Sequence, residues 1–508
     1  MNRSTIALTI VLLLLPYVSQ GSAAPGPVRI TPPAPVFSKA ERQTELARRR
    51  EAVAKAMTDK SILILFSAEP RLYTNDVNYS YRQENNLYYL TALKQGNATL
   101  VLTKDGSNVR SFLFLPKRNP LFETWNGKMY SNEEAADLSG INTILNFTEL
   151  PAFLNAVKEK RTFTSADGSF SSSLVPQIIY LLLPDTEADT IGQREYRHEY
   201  EFSKGLSGYK VENASIIFDD LRHIKSPYEI KLLQHAIDIT TEAQMSAWLA
   251  APKSKMEYEV QAEVEYIFRK RNADFWGYPS IVGCGPNATT LHYEESQSPI
   301  TAGSLLLMDV GAEYDHYTAD VTRTIPINGR FSKEQADIYR IVYDAQEAVA
   351  RATKPGVTML QLNEIANDVI KDGLFRLGLI TDKNSQQYGN YYMHSLGHWL
   401  GMNVHDVGRN GPPMRAGMVF TNEPGIYVRA DMLDNLRDTP ENRAYIEKVR
   451  PAFEKYKNIG VRIEDDMLVT ENGVEWLTKA LPRKLEDIEA FMSAGNNGKS
   501  NNRTVILP

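Results

Sequence analysis

The chain has little cysteine: Cys284 stands alone among 508 residues. No intramolecular disulfide can form, so any exported form must rely on core burial, for which the length is ample. A strongly basic run is also missing, and the net charge is -6. That excludes the phosphate-neutralising surface of a nucleic-acid binder. After the first two dozen residues no apolar run approaches the ~20 residues of a membrane span. No cysteine follows the N-terminal segment to carry a lipid anchor, and no internal repeat is evident. What is left is an ordinary globular composition, 43% apolar and 23% charged, long enough for two or three domains.

The first residues are of a different kind. Arg3 precedes an apolar run from Ile6 to Leu15, followed by Pro16 and the small residues SQGSAAPG. This is the layout of a secretory signal peptide, residues 1–24, with cleavage expected after Ala24. A secreted or periplasmic location follows as an expectation, with no membrane attachment in the mature form. Residues 25–37, rich in proline, read as an extended linker. Ser38 and Glu41 have capping-box spacing for a helix running to about Met57. Apolar strands are expected at 61–68, 97–103 and 109–115, the last two joined by a turn at Asp105–Gly106. Between them YRQENNLYYLTAL (81–93) reads as a strand with a packed aromatic face. Residues 116–130 read as a polar loop whose Trp125 is partly buried.

Strands and helices alternate through this α/β N-terminal domain, assigned to 38–215. A second domain, 216–488, opens with Ser226, Pro227 and Glu229, the signature of a helix start. Further helices are expected at 255–272, 332–352 and 358–377. Strands are expected at 279–284, 304–313, 317–327, 417–428 and 460–469. The remainder, 489–508, reads as a flexible tail.

Chemistry concentrates around LLLMDVGAEYDHYTADVTR (305–323). A hairpin turning between Tyr314 and Asp315 would set Asp309 directly opposite Asp320, with Cβ atoms ~5 Å apart. Carboxylates that close repel unless a cation lies between them. HSLGHWLGMNVHDVG (394–408) adds three of the eight histidines, His394, His398 and His405, among glycines. Glu423 ends an apolar strand ahead of Pro-Gly, and Arg462 and Glu464 share one face of a later strand. Two Asp, one His and two Glu form an oxygen-rich set suited to two divalent ions, Mn²⁺ first, with Co²⁺ or Zn²⁺ as alternatives. Such a pair activates water at neutral pH and polarises a carbonyl, which suits amide hydrolysis.

The runs MDVGAEYDHYTADVTRT, HSLGHWLGMNVHDVG, NEPGIY and VRIEDD, in that order, resemble the metal site of the pita-bread metallopeptidases, most of all the aminopeptidase P family. YRQENNLYYLTAL is similar to a segment of that family's N-terminal domain, so the resemblance spans about residues 38–485. It implies an N-terminal α/β domain before a pita-bread catalytic domain (α/β, or α+β, overall). It also implies a homo-oligomeric, dinuclear aminopeptidase that cleaves an N-terminal residue from a following proline by attack of a metal-bridged hydroxide. By the same resemblance Asp309 binds one metal and Asp320 with Glu464 bridges both. His398 and Glu423 hold the second, with Glu423 also moving the proton. His292 and His405 face substrate and intermediate, Arg462 orients ligand carboxylates, and His394 and Tyr427 lie on the proline side. Asp76 matches a position near the substrate amino group, and Trp125 a loop that reaches a neighbouring protomer. A prolidase acting on Xaa-Pro dipeptides shares the ligand set. Creatinase-like or binding-only pita-bread proteins do without metal, and retention of all five ligands counts against them.

Overall fold

The computed structural model describes residues 28–186 and 188–497, with side chains as far as 494. The proposed signal segment therefore lies outside the described residues. The N-terminal domain is built on a six-stranded mixed sheet. Its order is Lys210–Asn213, Ile178–Leu181, Ser61–Phe66, Thr99–Asp105, Asn108–Leu115, Ile144–Asn146. The central strand Ser61–Phe66 is buried along its whole length and apolar after Ser61, because both faces are covered. Gly106, at φ 60, opens the two-residue turn that fixes the register Asp105↔Asn108. Helix Lys39–Ala56 starts at the expected Ser38–Glu41 capping box.

In the second domain two three-stranded half-sheets lie next to one another, joined where Glu464 N donates to the Thr322 carbonyl at 3.1 Å. One half carries Ile281–Cys284, Leu305–Val310 and Val321–Pro326; the other carries Val419–Asn422, Asp465–Thr470 and Gly473–Trp476. The short pair Gly425–Tyr427 and Gly460–Arg462 lies alongside. Helices Pro227–Ala250 and Lys333–Ala352 supply a buried glutamine apiece. Gln244 Nε2 donates to the carbonyls of Met308 (3.1 Å) and Val321 (2.9 Å). Gln346 Nε2 donates to those of Asn422 (3.0 Å) and Ile463 (3.1 Å). Each of those carbonyls belongs to a residue adjacent in sequence to Asp309, Asp320, Glu423 or Glu464. The glutamines thus clamp both strand pairs from behind.

The hairpin register differs from expectation by two residues. Asp309 pairs with Thr322 and Tyr314 with Tyr317. Asp315 (φ 50) and His316 (φ 69) both take positive φ, which makes them the central pair of a type I′ turn. Because the shift is even, Asp309 and Asp320 keep a common face and sit diagonally. Gly311 is required at this bend, since a Cβ there would lie 1.9 Å from the Ala319 carbonyl oxygen.

Other expectations give way to tertiary packing. Within 81–93 the chain is a helix, Asn85–Thr91, not a strand: the Glu84 carboxylate caps it by accepting from Leu87 N at 2.7 Å. Asn119 and Pro120 likewise start a helix, Pro120–Asn126, inside the expected loop, and its Trp125 is 82% exposed rather than partly buried. Residues 28–37 are extended but docked: Thr31 N donates to Glu242 at 2.8 Å and Phe37 stacks on Tyr228. The stretch 429–458 forms helix Pro440–Tyr456, which buries Tyr445, Val449 and Phe453 in the core. Residues 489–497 continue helix Leu485–Asn497, with Ile488 and Met492 buried, so the expected tail begins too early.

The helix at 85–91 is the joint between domains. Tyr88 stacks on His316 at 3.8 Å, and Arg82 binds Glu313 (2.9 Å) and the Met402 carbonyl (2.7 Å). Behind it Arg222 bridges Asn86 and Asp406. The N-terminal domain thereby holds the tip of the aspartate hairpin and the loop that carries His405.

Candidate active site

A cavity of about 450 Å³ opens where the two half-sheets meet. Asp309 and Asp320 reach it from the hairpin, His398 from the glycine-flanked loop, and Glu423 and Glu464 from the ends of the opposing strands. His292, His394, His405 and Arg462 also line it. Tyr427 is buried one layer back, its hydroxyl 2.8 Å from His394 Nε2 and 2.8 Å from Arg462 Nη1. Asp76 is not brought in: it lies on the exposed turn of hairpin Leu72–Asn78. Trp125 is likewise absent from the lining.

Local geometry explains how each side chain is aimed. Gly397 lets the loop press against strand Val419–Asn422, because a Cβ there would lie 2.0 Å from the Thr421 carbonyl oxygen. His398 Nδ1–H then donates to the Trp399 carbonyl at 3.2 Å. That leaves Nε2 facing Asp320 (3.2 Å) and Glu423 (3.4 Å). Thr421 Oγ1 donates to Glu423 at 3.1 Å, and Thr322 Oγ1 to Glu464 at 2.6 Å. Arg462 Nη2 holds Asp309 Oδ2 at 2.5 Å, while its Nε donates to Thr322.

Sequence reasoning missed Tyr278, whose hydroxyl lies 2.5 Å from Asp309 Oδ1 and 2.6 Å from Asp320 Oδ1. It also missed Thr322, Thr421 and the two clamping glutamines. Their only signal was a polar residue in an apolar setting. The apolar wall comes from Pro279, Ile281, Leu291 and Val404.

The electrostatics record an excess of negative charge. Burial pushes Glu464 well above the usual carboxylate range, and Asp320, Glu423 and Asp309 push it further. Burial also raises Asp320. Glu423 rises to about 7, through burial and the Asp320 charge, against the pull of His398. Burial works against the His398 cation, but the hydrogen bond to Asp320 and the Glu423 charge outweigh it and lift His398 to about 9. Burial and the Arg462 charge take His394 down to about 4. His405 is lowered by burial and by His398.

Four carboxylates therefore face one guanidinium. Donor atoms of Asp320, His398 and Glu464 all lie within 4.8 Å of one another, the spacing of a shared ion. The donor chemistry, four carboxylates and an imidazole, fits hard or borderline divalent cations. Divalent cations would relieve the repulsion that lifts Asp320, Glu423 and Glu464.

A profile of metallopeptidase family M24 matches residues 231–471, and one of the aminopeptidase P N-terminal domain matches residues 46–164. The chain is 35% identical to the Xaa-Pro aminopeptidase of Haemophilus influenzae, covering 88% of this chain and 97% of that one. It is 32% identical to the Xaa-Pro aminopeptidase of Escherichia coli, covering 90% and 99%. A solved structure of E. coli aminopeptidase P in a low-pH form superposes with a TM-score of 0.76 at 30% identity, covering 91% of this chain and all of that one.

Proposed function

From the premise that this chain belongs to the aminopeptidase P family of M24 metallopeptidases, we propose that it removes the N-terminal residue from peptides whose second residue is proline, using two divalent metal ions. The carrying observation is the uncompensated carboxylate cluster in a cavity large enough for the end of a peptide. Metal-dependent aminopeptidase activity follows from the family. The proline preference, the dinuclear site and the residue roles belong to the proposal. Mn²⁺ is the first choice, since oxygen donors predominate.

Asp309, Asp320, His398, Glu423 and Glu464 would hold the ions. Bound there, the ions would make a water acidic enough to attack at neutral pH and would polarise the scissile carbonyl. The chain's own groups do the rest. Glu423, a carboxylate at the edge of the cavity, takes the proton from the attacking water and returns it to the leaving proline nitrogen. His405 stands 4.3 Å from His398, ring to ring, where an N–H can meet the oxyanion. Arg462 fixes Asp309 and Tyr427 together, so one guanidinium sets both the ligand and the His394 wall. His394, kept neutral by burial and fixed by Tyr427 and the Ser395 carbonyl, faces the proline side. His292 lines the same cavity from the opposite half-sheet.

The reading extends to location and assembly. The N-terminal layout of charged, apolar and small residues supports export, and among the described residues no helix is long and apolar enough to cross a membrane. The exposed Leu121, Phe122 and Trp125 on one short helix support a homo-oligomer in which that patch is covered. Asp76 is exposed on a hairpin of the same domain and would reach substrate only through such assembly.

The deciding assay compares an Xaa-Pro-Yaa tripeptide with an Xaa-Pro dipeptide on metal-loaded enzyme. Release of the first residue from the tripeptide is expected. Cleavage of the dipeptide alone would replace this reading with prolidase activity.

A further inference from the structure

We propose that the N-terminal domain carries a second ligand site, for an apolar monocarboxylate, in a cavity of about 290 Å³ between helices Leu150–Lys158 and Arg197–Ser203. It shares no residue with the candidate active site and is independent of the reading above.

The cavity arises from how the first of these helices spends its faces. Leu150, Phe153, Ala156 and Val157 are buried against the sheet. Pro151, Leu154, Asn155 and Lys158, at i, i+3, i+4 and i+7, form a second stripe that borders the cavity together with Leu150. Phe66, Phe147 and Phe202 close the other sides with aromatic surface. The volume is near the lower end of small-molecule sites, ~300–1,000 Å³. It suits one aromatic ring or branched aliphatic group.

Polar groups converge at this apolar space without partners. Lys158 makes no ion pair and no hydrogen bond among the described residues; its ammonium lies 5.2 Å from the Phe202 ring centre. Thr99 lines the cavity, is fully buried, and its Oγ1 has no hydrogen-bond partner. Glu69, which touches the lining residue His198 (3.0 Å), is engaged by Arg197 at 2.5 Å, so its charge is already met. A free cation beside an aromatic wall calls for an anion with an apolar body. The Asn155 amide, on the same helix face as Lys158, can hold the second carboxylate oxygen. A free aromatic acid and the C-terminal residue of a peptide share this chemistry.

The test uses full-length, metal-loaded protein and calorimetric titration with 3-phenylpropanoate, with the peptide Ala-Gly-Gly-Phe, and with its C-terminal amide. Saturable binding of at least one of the two acids is expected, and which one binds identifies the source. The amide should bind at least about tenfold more weakly than the peptide acid wherever the peptide acid binds. Lys158→Gln should weaken binding at least about tenfold, and Leu154→Trp, which fills the cavity, should abolish it. Both variants should retain Xaa-Pro hydrolysis. Lys158 is partly exposed, so its replacement reports on the site even where Leu154→Trp misfolds. The proposal is overturned by absence of saturation at millimolar concentration, or by binding that Lys158→Gln leaves unchanged.

Discussion

Two buried ionic clusters in this molecule are built to opposite rules. At the domain joint Asp406 and Glu229 each meet an opposite charge. Asp406 lies between Arg222 (2.5 Å) and Lys225 (3.4 Å), and Glu229 between Arg49 and the Tyr317 hydroxyl. Asp406 is accordingly held below the usual carboxylate range, because the Arg222 and Lys225 charges outweigh its burial. In the catalytic cavity Asp320, Glu423 and Glu464 are raised, since burial acts on carboxylates served by one arginine and one histidine. Glu199 shows a third solution. It is buried with no countercharge in contact among the described residues, accepts a hydrogen bond from Phe66 N, and is lifted to about 8 by burial, so a proton neutralises it. Where a protein buries charge for structure it supplies the balance itself. A standing deficit marks where a cation from outside belongs.

The sharpest way to break the comparison is to remove one carboxylate from each cluster. Asp320→Ala should take peptidase activity to background and lower the metal content measured after purification. In the metal-free protein it should cost little stability, because it relieves repulsion. Asp406→Ala should do the reverse: it strands two buried cations and should lose ~3–5 kcal/mol in denaturant unfolding of the same metal-free protein. Equal destabilisation by the two would remove the distinction between them.

Smaller effects sharpen it. Tyr278→Phe leaves the ligands in place but removes the hydroxyl that spans Asp309 and Asp320. A drop of ~10–100-fold in metal affinity or kcat/KM is expected, read by titration against a chelator. With His398 raised to about 9 and Glu423 to about 7, the metal-free site holds protons at neutral pH. Metal binding must release them, so apparent affinity should climb as pH rises from 6 to 8. Calorimetry in buffers of different ionisation enthalpy measures that release directly. The same competition should make activity fall as the pH is lowered.

A last effect, away from the catalytic cavity, concerns Glu199. Its folded pKa, about 8, lies above the ordinary value of an unfolded glutamate. Its stabilisation is therefore fully present below the unfolded value and is lost as pH rises through about 8. Glu199→Gln should flatten that decline in a pH series of thermal melts, with little change at pH 5.

Much of this was legible because ligand chemistry is local in sequence. Aspartates eleven residues apart, a histidine among glycines, and glutamates at strand ends each stand out in an apolar setting. Because the register slipped by two residues, an even number, Asp309 and Asp320 kept their common face even though the turn fell on Asp315–His316. What sequence hid is what depends on distant partners. Gln244 and Gln346 look like any helical glutamine until they are seen beneath the ligand strands. Tyr278 lies thirty-one residues from Asp309 and forty-two from Asp320. The aromatic run at 85–91 has strand propensity, but Glu84 caps it and Ala92, at φ 58, ends it as a helix. Composition alone did not place Phe122 and Trp125 in the open, because exposure is decided by what fails to pack on them; for Trp125 only the family resemblance pointed that way.

The central claim, that the charge deficit is a two-cation peptidase site, is tested most directly by titrating Mn²⁺ into metal-free protein while following cleavage of an Xaa-Pro-Yaa tripeptide. Two ions bound per chain, with release of the first residue appearing as they bind, is the predicted result. Full activity in protein shown by elemental analysis to hold no divalent metal would contradict it.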